Sequence, residues 1–210
     1  MKYLLVFLAD WANGLFAVLG AAYIAGVEIV WWHFLVGLVL AHLPDLDALP
    51  EIFKYRKVGA SVEHMGDHRD GLHYPILWLA AGAVFIFTFG YWGWLFLLAT
   101  ILHFINDFYG TGWGIKVLWP FSGRNYKLLG RRANRLKSIL IDDGDWVNLS
   151  IDERRLRFIV SWSKDELPSY LSRWGVDDWM DRYYKKLNWI SVIEYGLFII
   201  AFSFAVLSLV

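Results

Sequence analysis

Between Glu63 and Tyr74 the chain reads Glu-His-Met-Gly-Asp-His-Arg-Asp-Gly-Leu-His-Tyr, which places three of its six histidines, His64, His68 and His73, within ten residues. Imidazole is the commonest side-chain metal ligand, and carboxylates beside it suit a divalent cation. Taken alone, the stretch reads equally well as a charged loop. A second block, His42-Leu43-Pro44-Asp45-Leu46-Asp47, lies upstream. Pro44 disfavours helical geometry at Leu43, so a helix should break there, leaving His42 on its last turn and both aspartates just below. Asp and Pro are also ordinary turn residues, and a plain capping turn is the alternative. A third block places His103 and Asp107 one helical turn apart on one face of an apolar segment, where they form either ligands or a structural pair. Asp10 sits inside the first apolar run, as a functional group or as a side chain reaching the near interface.

These blocks need elements to carry them, and the composition says which. Of 210 residues 58% are hydrophobic, 13 are tryptophan, and the mean hydropathy is +0.41. That balance excludes an ordinary soluble domain and predicts a polytopic membrane protein. There is no cysteine, so disulfides, thiolate metal sites and a cysteine nucleophile are excluded. Apolar runs predict about five transmembrane helices, near residues 3–25, up to 43, 72–89, 95–108 and 189–210. The first is too long for a signal core and reads as a retained span. Tight turns near Gly26–Glu28 and 90–94 are flanked by aromatic belts, and His33 belongs to the first belt rather than to a ligand set.

The expected fold is therefore all-α, with three parts. Residues 1–124 form a four-helix membrane domain, 125–187 a helical insertion of soluble character, and 188–210 the last span. In the insertion, Ser150-Ile151-Asp152-Glu153 is a capping box opening a helix to about Ser163. Asp177 or Asp178 caps a second helix through Tyr183 and Tyr184 that continues into the last span. Arg131, Arg132, Arg135 and Lys137 form a basic cluster, facing either anionic lipid headgroups or solvent. Glu194, one to two turns into the last span, is left open between a buried and an interfacial position.

With five spans, all twenty Lys and Arg residues fall on the side of the N-terminus, the 51–70 loop and the 110–187 segment. The positive-inside rule makes that side the cytoplasm. His42, Asp45 and Asp47, then His64, His68 and His73, then His103 and Asp107, and finally Asp10 all converge at that face. Scattered core histidines would not sort to one membrane face, so the sequence predicts a metal site.

At these residues the chain resembles the YdjM-type family of predicted inner-membrane, metal-dependent hydrolases. Leu43-Pro44-Asp45-Leu46-Asp47 is similar to the family's L-P-D-[IL]-D block, and His68-Arg69-Asp70-Gly71-Leu72-His73 to its H-R-G-x-T-H block. His103 to Asp107, trailed by Trp119-Pro120, is similar to H-x-x-x-D followed by W-P. Asp70 and Leu72 depart from the second block, and the first span offers Asp10 or Asn13 where members often carry a histidine. The resemblance implies a hydrolase of phosphoesters, such as phospholipids, at the cytoplasmic face of the inner membrane. One or two Zn, Mn or Fe ions would be bound by Asp45, His68, His73, His103 and Asp107. His42 and Asp47 come next, as ligands or as groups orienting an imidazole. His64 and Asp10 complete the candidate metal set. Arg69, and beyond it Arg124, would hold a phosphate; Arg69 and Asp47 are the candidate catalytic residues. The expected partners are the bilayer and a lipid or phosphoester substrate, with no nucleic acid. The alternative is a non-catalytic metal protein: a clip, a sensor or a transporter. A metalloprotease would need H-E-x-x-H, which is absent.

Overall fold

The computed structural model describes residues 2–56, 69 and 71–210. Its organising element is a long first helix, α1 (Lys2–Ala25), which packs against α2 (Trp31–Ala41), α5 (Tyr91–Tyr109) and α10 (Trp189–Leu207). A stripe of small residues explains the centrality of α1. Ala12, Ala17, Val18 and Ala21 are buried in the bundle core with Leu95, Ala99, Ala201 and Ala205. At the α1–α2 crossing the backbones touch. A Cβ on Gly14 would lie 2.7 Å from the Gly37 carbonyl oxygen, and one on Gly37 would lie 2.6 Å from that of Gly14. Only small residues allow such an approach, which maximises dispersion contact where lipid tails supply no hydrophobic drive.

After α2 the chain breaks at Pro44 into a 3-10 helix, Pro44–Ala48, and continues as α3 (Leu49–Tyr55). Next come α4 (Pro75–Phe89) and α5, joined through Gly90, whose φ of 55° favours glycine. The turn is tighter than the sequence suggested, since Tyr91 and the residues after it are already helical. Trp32 stacks on Trp92 at 5.3 Å, and His33, buried, packs on Tyr91 at 4.9 Å. This aromatic cluster ties the α1–α2 and α4–α5 turns together at one end of the bundle. His33 therefore sits in a ring stack, away from the candidate ligands.

Two helices, α1 over Leu4–Ala25 and α10, are long and apolar enough to cross a membrane. Of the other expected spans, α2 and α4 have 11 and 15 residues, short of the roughly 20 that a crossing needs. The third, α5, is 19 residues long and buries a polar face of Thr100, His103 and Asp107.

The segment before α10 is not all-helical. β1 (Asn125–Gly130) pairs antiparallel with β2 (Arg157–Trp162), with Lys127 opposite Val160. Between and after them lie α6 (Lys137–Asp142), a 3-10 helix at Asp145–Asn148, α7 (Ile151–Arg154), α8 (Leu167–Trp174) and α9 (Trp179–Tyr184). They enclose a second core around Trp113, Leu140, Val160, Trp162 and Trp174. The expected helix from Ser150 to Ser163 stops at Arg154. Its capping box forms, with Ser150 N donating to Glu153 Oε2 at 2.9 Å. However, Phe158, Ile159, Val160 and Trp162 follow, and branched and aromatic side chains fit a pleated pair better than a helix. Nor does α9 run on into α10. Asn188 Oδ1 accepts from Ile190 N at 3.0 Å and Ser191 N at 3.3 Å, capping a fresh helix. The basic cluster is divided: Arg132 pairs with Glu166 at 3.0 Å, and Arg135 with Asp145 at 2.9 Å, inside the lobe.

The Gly14–Gly37 contact makes a direct prediction. Gly14→Val should force the α1–α2 crossing apart, cost about 1–3 kcal/mol and lower the Tm of detergent-solubilised protein. Gly196→Val, on the open face of α10 where an added Cβ meets nothing within 4 Å, should leave it unchanged.

Candidate metal centre

Four donor atoms from three separate stretches meet at one point. His73 comes from the segment just before α4, His103 and Asp107 from the last two turns of α5, and Asp45 from the 3-10 helix that Pro44 initiates. His73 Nε2 lies 3.4 Å from His103 Nε2, 3.0 Å from Asp107 Oδ2 and 3.5 Å from Asp45 Oδ1. His103 Nε2 lies 3.3 Å from Asp107 Oδ2 and 3.6 Å from Asp45 Oδ1. Ligands bound at 2.0–2.1 Å in a tetrahedron sit about 3.3 Å apart. The five separations, from 3.0 to 3.6 Å, bracket that length.

The outer faces of both imidazoles are fixed. His73 Nδ1 lies 2.9 Å from Asp47 Oδ2, and His103 Nδ1 lies 2.9 Å from Asp10 Oδ1. An Nδ1–H donating to a carboxylate leaves the Nε2 lone pair aimed inward, the arrangement that orients metal-binding histidines. Asp47 Oδ2 also accepts from Leu72 N at 2.7 Å, fixing the backbone that delivers His73. Gly71 is required there, because a Cβ would come within 2.7 Å of Asp47 Cβ.

The charge balance is lopsided. Asp10, Asp45, Asp47 and Asp107 surround the two imidazoles, and Arg69 is the one cation paired with them among the described residues, its Nη2 lying 2.5 Å from Asp107 Oδ1. Arg69 Nη1 also donates to the Thr111 carbonyl at 3.2 Å. Burial works against charging His73, but its bonds to Asp107, Asp45 and Asp47 prevail and raise its pKa to about 10. Burial likewise opposes charge on Asp45, yet His103 and His73 hold its carboxyl below the usual range. Asp107 Oδ2 is buried and faces both imidazoles, 3.0 Å from His73 Nε2 and 3.3 Å from His103 Nε2. Two inward-facing Nε2 atoms, a buried carboxylate oxygen beside them and a surplus of negative charge fit a divalent cation in the place of a proton, and Asp45, His73 and His103 form a group that can hold one.

His42 stands outside this set. Its Nδ1 is 3.8 Å from Asp10 Oδ2, and Asp10, His42 and Asp45 make a second group whose donor atoms lie within 4.8 Å of one another. Both groups open on a cavity of about 380 Å³, lined on one side by Asp10, His42, Asp45, Arg69, His103 and Asp107. The other side is apolar, with Val6, Phe7, Leu46, Leu49, Ile52 and Met180.

Of the residues singled out in the sequence, Asp10, His42, Asp45, Asp47, Arg69, His73, His103 and Asp107 are thus brought together. His64 and His68 lie outside the described residues. Arg124 is not at the cavity: its guanidinium meets Ser161 Oγ at 3.2 Å and Glu166 at 3.6 Å in the lobe. Trp179, Met180 and Tyr184 of α9 also line the cavity, and nothing in their spacing announced this.

A family model described as YdjM inner membrane protein matches residues 11–160. The chain belongs to the YdjM family. No curated protein and no solved structure matches it. The matched range includes Asp45, Asp47, Arg69, His73, His103 and Asp107, together with β1. The family name makes this an inner membrane protein, in keeping with its two span-length apolar helices.

Asp47→Asn and Asp10→Asn test the role of the outer carboxylates. Each should weaken divalent-ion affinity by about 10–100-fold, read by competition against a chromogenic chelator, while helix content by circular dichroism stays unchanged.

Proposed function

We propose that this YdjM protein is a membrane-bound, metal-dependent hydrolase of phosphoesters, with an amphipathic substrate such as a phospholipid. The observation that carries the reading is the convergence of Asp45, His73, His103 and Asp107 beside a cavity with one charged and one apolar wall. Those four residues would hold one ion, and Asp10, His42 and Asp45 would hold a second. Mixed N/O ligation without sulfur suits Zn, Mn or Fe(II). When bound, such ions lower the pKa of water and polarise a phosphoryl oxygen.

The chain's own residues do the rest. Asp47 and Asp10 keep the imidazoles in one tautomer. Asp107 and the Thr111 carbonyl hold the Arg69 guanidinium at the cavity wall, where its planar donors suit a phosphate. Phe7, Leu46, Leu49 and Ile52 exclude water from the apolar side and suit a lipid tail. With the basic segments in the cytoplasm, the site opens at the cytoplasmic face and the N-terminus lies on that side.

A second reading is favoured by one observation: α1, the end of α2, the approach to α4 and the end of α5 all contribute side chains, so an ion here would also clip four elements together. Metal analysis of detergent-purified protein, wild type beside His103→Ala/Asp107→Ala, separates the outcomes. About two ions per chain with hydrolysis of a chromogenic phosphodiester or short-chain phospholipid, both lost in the double variant, is the expected result. Metal retained with no turnover of any phosphoester would move the site to the clip. No metal after reconstitution with Zn, Mn and Fe(II) would overturn both readings.

A further inference from the structure

A second cavity, of about 370 Å³, lies where the lobe meets the first turn of α10. Its wall includes Lys127, Arg131, Arg135 and Lys137, beside Leu129, Leu156, Leu187 and Trp189. The cations are not equivalent. Arg135 is neutralised by Asp143 and Asp145. Arg131 is not: its Nε donates to the Arg154 carbonyl at 2.9 Å and its guanidinium lies 5.8 Å from the Trp146 ring centre. Lys137 Nζ and the Arg154 guanidinium approach the same ring, at 5.2 and 5.8 Å. Neither Arg131, Lys137 nor Arg154 has a carboxylate within ion-pair distance among the described residues. Burial with no offsetting acid lowers the Arg131 pKa from its ordinary value. Three cations within about 6 Å of one indole repel one another, and an anion relieves that repulsion.

The apolar rim fixes what kind of anion. Leu129, Leu156 and Leu187 are 41%, 55% and 78% exposed, and Trp189 opens a helix of membrane-crossing length. An indole at a span end sits at headgroup depth, which puts the cations beside it at the height of lipid phosphates. A free phosphate would gain nothing from the leucines; a lipid would cover them.

We infer that Arg131 and Lys137 form a binding site for the phosphate of an anionic phospholipid, whose glycerol and upper acyl segments cover Leu129, Leu156 and Leu187. The site seats the lobe on the membrane surface beside α10. It is separate from the metal centre and needs no metal.

The test uses full-length protein in a neutral detergent, with the thermal shift caused by dioctanoyl phosphatidylglycerol, dioctanoyl phosphatidylcholine and inorganic phosphate. Phosphatidylglycerol should stabilise the wild type well beyond phosphatidylcholine. Arg131→Gln/Lys137→Gln should raise the half-saturating lipid concentration roughly tenfold or more, while Lys164→Gln/Lys185→Gln, with the same change in charge, should not. Lys137→Gln alone removes no hydrogen bond, so it guards against a folding defect in the double variant and should show a smaller shift in the same direction. An equal response to inorganic phosphate would overturn the lipid as ligand. An unchanged lipid response in both Arg131 and Lys137 variants would overturn the site.

Discussion

Four carboxylates pressed around two buried imidazoles set the terms for the rest of this molecule. Asp10, Asp45, Asp47 and Asp107 sit within ion-pair distance of His73 or His103, and one guanidinium partly offsets them. Such an arrangement is stable only if positive charge occupies the middle, as protons on the histidines or as a metal ion. Three structural features follow from that demand. Gly71 lets Asp47 approach the chain that carries His73, Pro44 ends α2 so that Asp45 can turn inward, and the α1–α2 crossing at Gly14 and Gly37 holds the helix that delivers Asp10.

How much of this was legible in the residues depended on what kind of signal each carried. Pro44 and the i, i+4 pair of His103 and Asp107 encode local geometry, and the structure shows that geometry. The convergence of the blocks was legible through topology, since short turns force alternate helix ends to one side. What could not be read was the division of labour. Asp45 and Asp47 are two residues apart in similar surroundings, yet Asp45 faces the point where the imidazoles meet and Asp47 faces the back of one of them. Only the register of a 3-10 turn decides which. Asp10 and Asp47 do the same task on different imidazoles, and no spacing links residues so far apart.

The lobe departs from the expected all-helical form for a physical reason. A capping box reports how a helix begins, not how far it runs, and at Arg154 the local start loses to the pairing of Arg157–Trp162 with Asn125–Gly130. That pairing buries Trp162 and Val160 against Trp113, a gain that a surface helix could not match. The break at Asn188 matters equally. Because α9 is a separate short helix, Tyr184 and Met180 can turn towards the cavity while α10 keeps its own direction. Glu194, fully buried, then faces the end of α5 rather than lipid, near enough that a Cβ on Gly110 would lie 3.5 Å from its Oε1.

The loop after α5 shows how site and lobe are made one unit. Arg69 reaches from the metal centre to the Thr111 carbonyl, and one residue later Gly112 offers its carbonyl to Lys127 Nζ at 2.9 Å and Asn134 Nδ2 at 2.8 Å. Gly112 has a φ of +93°, and a Cβ there would strike Arg69 Nη1 at 2.5 Å, so conformation and space both demand glycine. The two neighbouring carbonyls are thus held from opposite sides, one by a cation of the centre, the other by a cation and an amide of the lobe. A shift of β1, which carries Lys127, would pull on Gly112 and through it on the guanidinium that faces Asp107. The lobe and the charge balance of the centre are therefore connected through a single glycine, and that link lets residues of the lobe bear on the position of Arg69.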